Sequence, residues 1–272
     1  MLPRLTTWWT ILRISLQERL VYRGDFALGT LMRFLPIVTQ IFLWYAIFSN
    51  LGTGARITGY TYEELVVYLL LTMVARAFSS MPGLASTIAK QIRSGDIKKY
   101  LTQPVDLLGF LFLSRVSHKF AYYIVAIGPF ALVFFLCRGY FTSLPDGPQA
   151  AAFVVSLLLS FLLGFFLEAC IGMVGFWFLE VTSLLFVYML FSFFLSGHMF
   201  PLDMLPQPWG TIVQYTPLQY LAFFPAQVFL GKIEGWALVR ALVIEFAWVT
   251  FFIVLSRFLF SRGLKRYSGY GG

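Results

Sequence analysis

Six stretches of this chain, 26–48, 64–80, 120–137, 150–176, 181–199 and 236–258, are long, apolar and nearly free of charge. A helix rises about 1.5 Å per residue, so about 20 such residues cross a hydrocarbon layer roughly 30 Å thick. Inside a bilayer every backbone polar group needs a partner within the protein, a demand that a helix meets by itself. The expected fold is therefore an all-α integral membrane protein with six transmembrane helices. The second and fourth runs are the least clean of the six.

Composition closes off the soluble alternative. The chain is 59% hydrophobic and only 12% charged, where a soluble domain carries roughly 25% charge. Its 20 Lys and Arg outnumber 12 Asp and Glu. A nucleic-acid partner would need those cations gathered in one groove or stripe; here they sit beside the apolar runs, and no such partner is expected.

Lys and Arg in short loops are retained on the cytoplasmic side. With the N-terminus inside, the inner segments hold Arg4, Arg13, Arg19, Arg23, Lys90, Arg93, Lys98, Lys99, Arg115, Lys119, Arg257, Arg262, Lys265 and Arg266, against Arg56, Arg138, Lys232 and Arg240 outside. Both ends are thus expected in the cytoplasm. The first 25 residues have neither a long apolar core nor a small-residue cleavage site, so the N-terminus is expected to be retained. Leu5, Trp8, Trp9, Leu12, Leu16 and Leu20 form one helical stripe, which suits an amphipathic helix lying at the interface; an extension of the first span is the alternative.

The longest polar stretch, 86–119, separates the second and third runs. Within it Gly95 can take the left-handed conformation that ends one helix, and Asp96 can cap the next. Pro104 then stops a short basic helix over 97–102, a handle for a partner. Before the last run, 201–235 mixes Pro201, Pro206, Pro208, Pro217 and Pro225 with aromatic residues. That segment reads as two half-helices dipping back into the membrane or as an interfacial loop. No internal repeat or linker divides the chain, and one domain over 1–272 is expected.

Ionisable groups within the spans cost about 2.5–3.5 kcal/mol each at a helix centre, so each needs a reason. Arg33 and Arg76 lie where they can reach headgroups or pair with an acid. Glu168 and Glu245 are too short to escape easily; they serve structure or line a pathway, and pairing with Arg33 or Arg76 is one hypothesis. Glu180, at the inner turn between spans four and five, can cap the fifth helix or contact a partner. Cys137, Cys170, His118 and His198 have no neighbours at metal-ligand or triad spacing. No G-x-x-x-x-G-K-[ST] loop is present, so ATP bound by that route belongs to another subunit.

Four stretches give the chain a likeness: the start running into Tyr22-Arg23-Gly24-Asp25-Phe26, the segment containing SGDIKKYLTQPVD, the GFWFLE turn, and SGHMFPLDMLP followed by TPLQYLAFFPAQVFLG. It resembles the membrane subunits of ABC-2 type exporters, small bacterial permeases that work beside a separate ATPase. The resemblance implies a coupling helix that docks into the ATPase, here Gly95, Asp96, Ile97, Lys98, Lys99, Tyr100 and Leu101. It also implies an interfacial N-terminal helix, external re-entrant helices before the last span, and a homo- or heterodimer of permease chains. ATP and Mg would be held by the ATPase and no cofactor by this chain; location would be the bacterial cytoplasmic membrane among its lipids. Outward movement of a hydrophobic or amphipathic substrate, along spans one, two and five, is the implied activity. A secondary active transporter would want ion sites at broken helices within an internal repeat. A lipid-modifying enzyme would want convergent polar groups at one depth, and the spans offer few of either.

Overall fold

The computed structural model describes residues 9–10, 13–14, 23–52, 54–102, 106–178 and 180–267. Among them the regular structure is helical: α1 (Arg23–Ser49), α2 (Tyr62–Ser79), α3 (Leu84–Arg93), α4 (Lys98–Thr102), α5 (Leu107–Leu136), α6 (Gly147–Met173), α7 (Thr182–Leu195), α8 (Trp209–Gln214), α9 (Phe223–Phe229) and α10 (Gly235–Arg266), with short 3-10 turns between some of them. Apart from residues 9–10 and 13–14, the expected interfacial helix over the first 20 residues lies outside the described residues.

Among the described residues four stretches are long and apolar enough to cross a membrane: Tyr62–Arg93, Leu107–Leu136, Gly147–Phe176 and Gly235–Arg266. The first expected span lies within α1, 27 residues long, of which Phe34–Ser49 is the described apolar part, and the fifth corresponds to a shorter apolar helix, Thr182–Leu195. The fifth is the informative case. Its 14 residues reach only about 21 Å, because the helix stops at Leu195 and Gly197 turns left-handed at φ +77°. A Cβ on Gly197 would lie 2.6 Å from the Cβ of Phe223 and 2.8 Å from the Tyr68 hydroxyl, so only glycine fits this corner.

The chain divides into two compact units, Met1–Trp44 with Lys98–Gly139, and Tyr45–Ile97 with Tyr140–Gly272. In the first, Phe34 of α1 meets Phe130 of α5 edge-to-face at 5.3 Å. Asp106 caps α5 by accepting from the Gly109 amide at 2.8 Å, and this cap starts the helix well before the apolar run expected at 120–137.

In the second unit α2 opens on a capping box: the Thr61 hydroxyl accepts from the Glu64 amide at 3.2 Å, and the Glu64 carboxylate from the Thr61 amide at 3.4 Å. The helix ends at Ser79, followed by extended Ser80, Pro82 and left-handed Gly83 before α3 begins. Proline has no N–H to continue the ladder and disfavours the helical conformation in the residue before it. The stretch Tyr62–Arg93 is therefore two helices joined at a corner, of which α2 covers the run expected at 64–80. Packed along both is α6, which brings its backbone close at glycines. A Cβ on Gly164 would collide with the Ser79 carbonyl, and one on Gly172 would sit 2.8 Å from the Ala85 carbonyl oxygen. On another side α6 meets α10 and the segment 217–229 around Leu163, Tyr220, Leu221, Phe224, Val228 and Val249.

Candidate functional site

The segment singled out between spans two and three straddles the two units. On the α3 side, Gly95 is left-handed at φ +80°, and the Ile97 amide donates to the Gln91 carbonyl at 3.1 Å, folding the chain back over the end of α3. Ile97 is buried, and Asp96 accepts from the Ser94 hydroxyl at 2.6 Å. On the other side, Lys98, Lys99 and Tyr100 lie on α4, a single turn. Lys98 and Lys99 are exposed, and Tyr100 packs on Phe110 at 5.3 Å between ring centroids. Leu101 belongs to α4; its side chain, like that of Arg33 on α1, is outside the described ones.

Glu180 stands at the start of α7. Its Oε1 accepts from the Thr182 amide at 2.7 Å, and Oε2 lies 3.7 Å from the Arg93 guanidinium. Hydrogen bonds from Thr182 hold this carboxyl below its ordinary range, with a smaller pull from Arg93. Both side chains are exposed, and they edge a shallow groove between α3 and α7 lined by Ser86, Thr87, Lys90 and Thr182.

The intramembrane candidates separate. Arg76 on α2 donates to the Ser192 hydroxyl on α7 at 3.4 Å, and Tyr188 lies within electrostatic reach of both Arg76 and Glu168, so these residues share one neighbourhood. Glu168 on α6 accepts from the Met81 amide, in the corner between α2 and α3, at 3.3 Å. A backbone N–H freed by a helix break costs several kcal/mol in hydrocarbon if left alone; Glu168 supplies its acceptor. Glu245 stands apart on α10, fully buried near Tyr220, and its carboxylate oxygens have no hydrogen-bond partner among the described residues.

Sequence reasoning missed a polar network at the N-terminal end of α2. Tyr60 donates to Asp203 at 2.8 Å. Gln227 on α9 donates to the Tyr60 hydroxyl and, at 3.2 Å, to Asp203. Lys232 bonds Glu64 at 2.8 Å and the Gly59 carbonyl at 3.2 Å, with its ammonium 4.9 Å from the centre of the Tyr60 ring. Burial, followed by the Asp203 charge, keeps the Tyr60 phenol far above its ordinary pKa, so it remains a donor. Asp203 and Gln227, polar residues inside the apolar strings PLDMLP and FFPAQVF, were the available signal. This network pins the segment before α10. Deeper in the unit, Tyr68 donates to the Gly197 carbonyl, the Phe223 amide to the Ser196 carbonyl at 2.8 Å, and Ser79 to the Leu221 carbonyl at 2.7 Å. Ser79 is the last residue of α2, about 25 Å along the axis from its first. The segment 196–229 therefore runs down most of the length of α2 and back. Of its two helices, α9 is buried while α8 exposes Trp209 and Ile212, with exposed Tyr215 following at its end.

Among the described residues the chain is helical, with several apolar helices, a broken helix stitched by buried polar contacts and an exposed basic turn. The sequence model of one family, described as ABC-2 family transporter protein, matches residues 34–271. The chain belongs to that family: it is a multi-pass membrane permease of ABC transporters, a transport subunit without an ATPase domain. Membership implies an ATPase partner, and such permeases typically bind no cofactor themselves. No individual curated protein matches the chain.

Proposed function

We propose that this chain is the membrane half of an ATP-driven exporter, moving a hydrophobic or amphipathic substrate outward with ATP and Mg held by a cytoplasmic partner. The chain crosses the bilayer six times with both ends in the cytoplasm, as a single ABC-2 type domain paired with a second permease chain. The crossing that begins with α7 is completed by the non-helical corner at Gly197 and the returning segment. That arrangement suits a bilayer because the Gly197 and Leu221 carbonyls accept from α2 side chains and the Phe223 amide bonds the Ser196 carbonyl. Trp209 on α8 and Tyr215 just after it, both exposed, suit the outer headgroup layer, where amphipathic rings settle.

The observation that carries the docking assignment is the exposed pair Lys98 and Lys99 on a one-turn helix, reached through the left-handed Gly95 and the buried Ile97. The paired charge suits engagement of an acidic groove. Gly95, Asp96, Ile97, Lys98, Lys99, Tyr100 and Leu101 form the ATPase-coupling segment of the chain, and Glu180, ion-paired with Arg93, is a separate inner-turn contact. The double variant K98E/K99E is expected to enter the membrane normally yet lose at least about tenfold in affinity for the ATPase subunit, about 1.4 kcal/mol, in copurification or a titration in lipid nanodiscs. Unchanged association would remove the docking assignment.

A further inference from the structure

Glu168 sits on the face of α6 that also presents Gly164 and Gly172, Gly175 follows in the 3-10 turn Val174–Phe176, and the four residues meet the broken stretch Tyr62–Arg93 in order. Gly164 faces Ser79 at the end of α2, Glu168 accepts from Met81 within the corner, and Gly172 and Gly175 face Ala85 and Ala89 on α3. Three of these contacts are backbone packed against glycine. At the corner itself the chain is extended at Ser80 and left-handed at Gly83; the Ser80 amide bonds the Arg76 carbonyl and the Leu84 amide the Met81 carbonyl, each at 3.0 Å, and few terminal residues are all a hinge needs. The Glu168 side chain from α6 reaches into the corner and accepts from the Met81 amide between these two bonds.

We infer that Glu168 is a positioning residue, acting through Met81, that prevents the corner from flexing and so makes α2, α3 and α6 one rigid block. This rests on the reading of the chain as an ATP-driven permease. Beyond the C-terminal end of α3 lies the proposed ATPase contact. At the corner's other side, Ser79 holds the Leu221 carbonyl of the returning segment. A stiff corner carries displacement from one to the other; a loose one dissipates it. This assigns a mechanical role to an intramembrane carboxylate otherwise open to a pathway reading.

The test places spin labels at Glu63 and Thr87, both exposed and on opposite sides of the corner, in the full chain with Cys137 and Cys170 replaced by Ala, in nanodiscs. The native Glu168 should give one narrow distance distribution. E168Q, whose amide oxygen still accepts from Met81, should match it. E168A should broaden it about twofold, and E168D, which keeps the charge but withdraws the carboxylate by about 1.5 Å, should fall between and guards against a variant that does not fold. L163A, a packing loss on the same helix, should lower the melting temperature without broadening the distribution. Equal widths for E168A, E168D and the parent would overturn the inference. Failure of the parent chain to hold any ATPase subunit would sink the exporter reading while leaving the nucleotide-free widths interpretable.

Discussion

Helices α2 and α7 are both strongly apolar, yet the structure uses them in opposite ways. In α2 the side chains from Leu65 to Met73 are buried without interruption; in α7 only Ser192 is buried, and Phe186, Met189, Phe191 and Phe194 face outward. Lipid is as apolar as leucine, so hydrophobicity alone does not decide which helix goes inside. The difference lies in what α2 offers its neighbours: a capping box at one end, Tyr68 and Ser79 as donors along its length, and a backbone that Gly164 of α6 approaches closely. The structural helix is the one stitched to its neighbours along its whole length, whereas α7, tied through Ser192 to Arg76, turns most of its side chains outward, toward lipid or a second chain.

The sharpest way to break this contrast is G164V, which forces side-chain atoms into the Ser79 carbonyl. Overpacking against backbone should cost at least about 3 kcal/mol, read as a collapse of the detergent-solubilised melting transition; a stable G164V protein would show that α2 is not closely held by α6. Next, L70A should cost about 2–5 kcal/mol by opening a cavity, whereas F191A on α7 should change the stability of the isolated chain by less than about 0.5 kcal/mol. If F191A is as damaging as L70A in the single chain, the contrast fails; if it acts only on assembly of permease chains, the contrast is sharpened. Y68F leaves the Gly197 carbonyl without its donor and should cost about 1–3 kcal/mol, detectable in the same melt. The smallest effect is expected from K232M, which removes the partly exposed pair with Glu64 but keeps much of the side chain over the Tyr60 ring: about 0.5–1 kcal/mol, shrinking as salt is raised.

The long apolar runs were legible because hydrophobic length is a property of contiguous residues. So was the left-handed turn at Gly95, since turn chemistry acts within a few positions of itself; the Thr61–Glu64 capping box and the Asp106 cap are equally local but were recognised only in the structure. The network of Tyr60, Asp203, Gln227 and Lys232 was not legible, because its members are up to 172 positions apart and none is unusual alone. Nor was the fifth span's short length: 181–199 has no Asp, Glu, Lys or Arg and is mostly apolar, and its helix ends where Gly197 must admit Phe223 and Tyr68.

By itself the sequence determined that this chain is a membrane protein made of helices, with its cations beside the apolar runs and a basic turn after α3, because hydropathy, charge and turn chemistry act locally. Only the tertiary structure decided which apolar helix is enclosed, how the segment before α10 folds back along α2, and that Glu168 reaches the break at Met81. Those outcomes depend on backbone approach and hydrogen-bond partners brought together from distant parts of the chain.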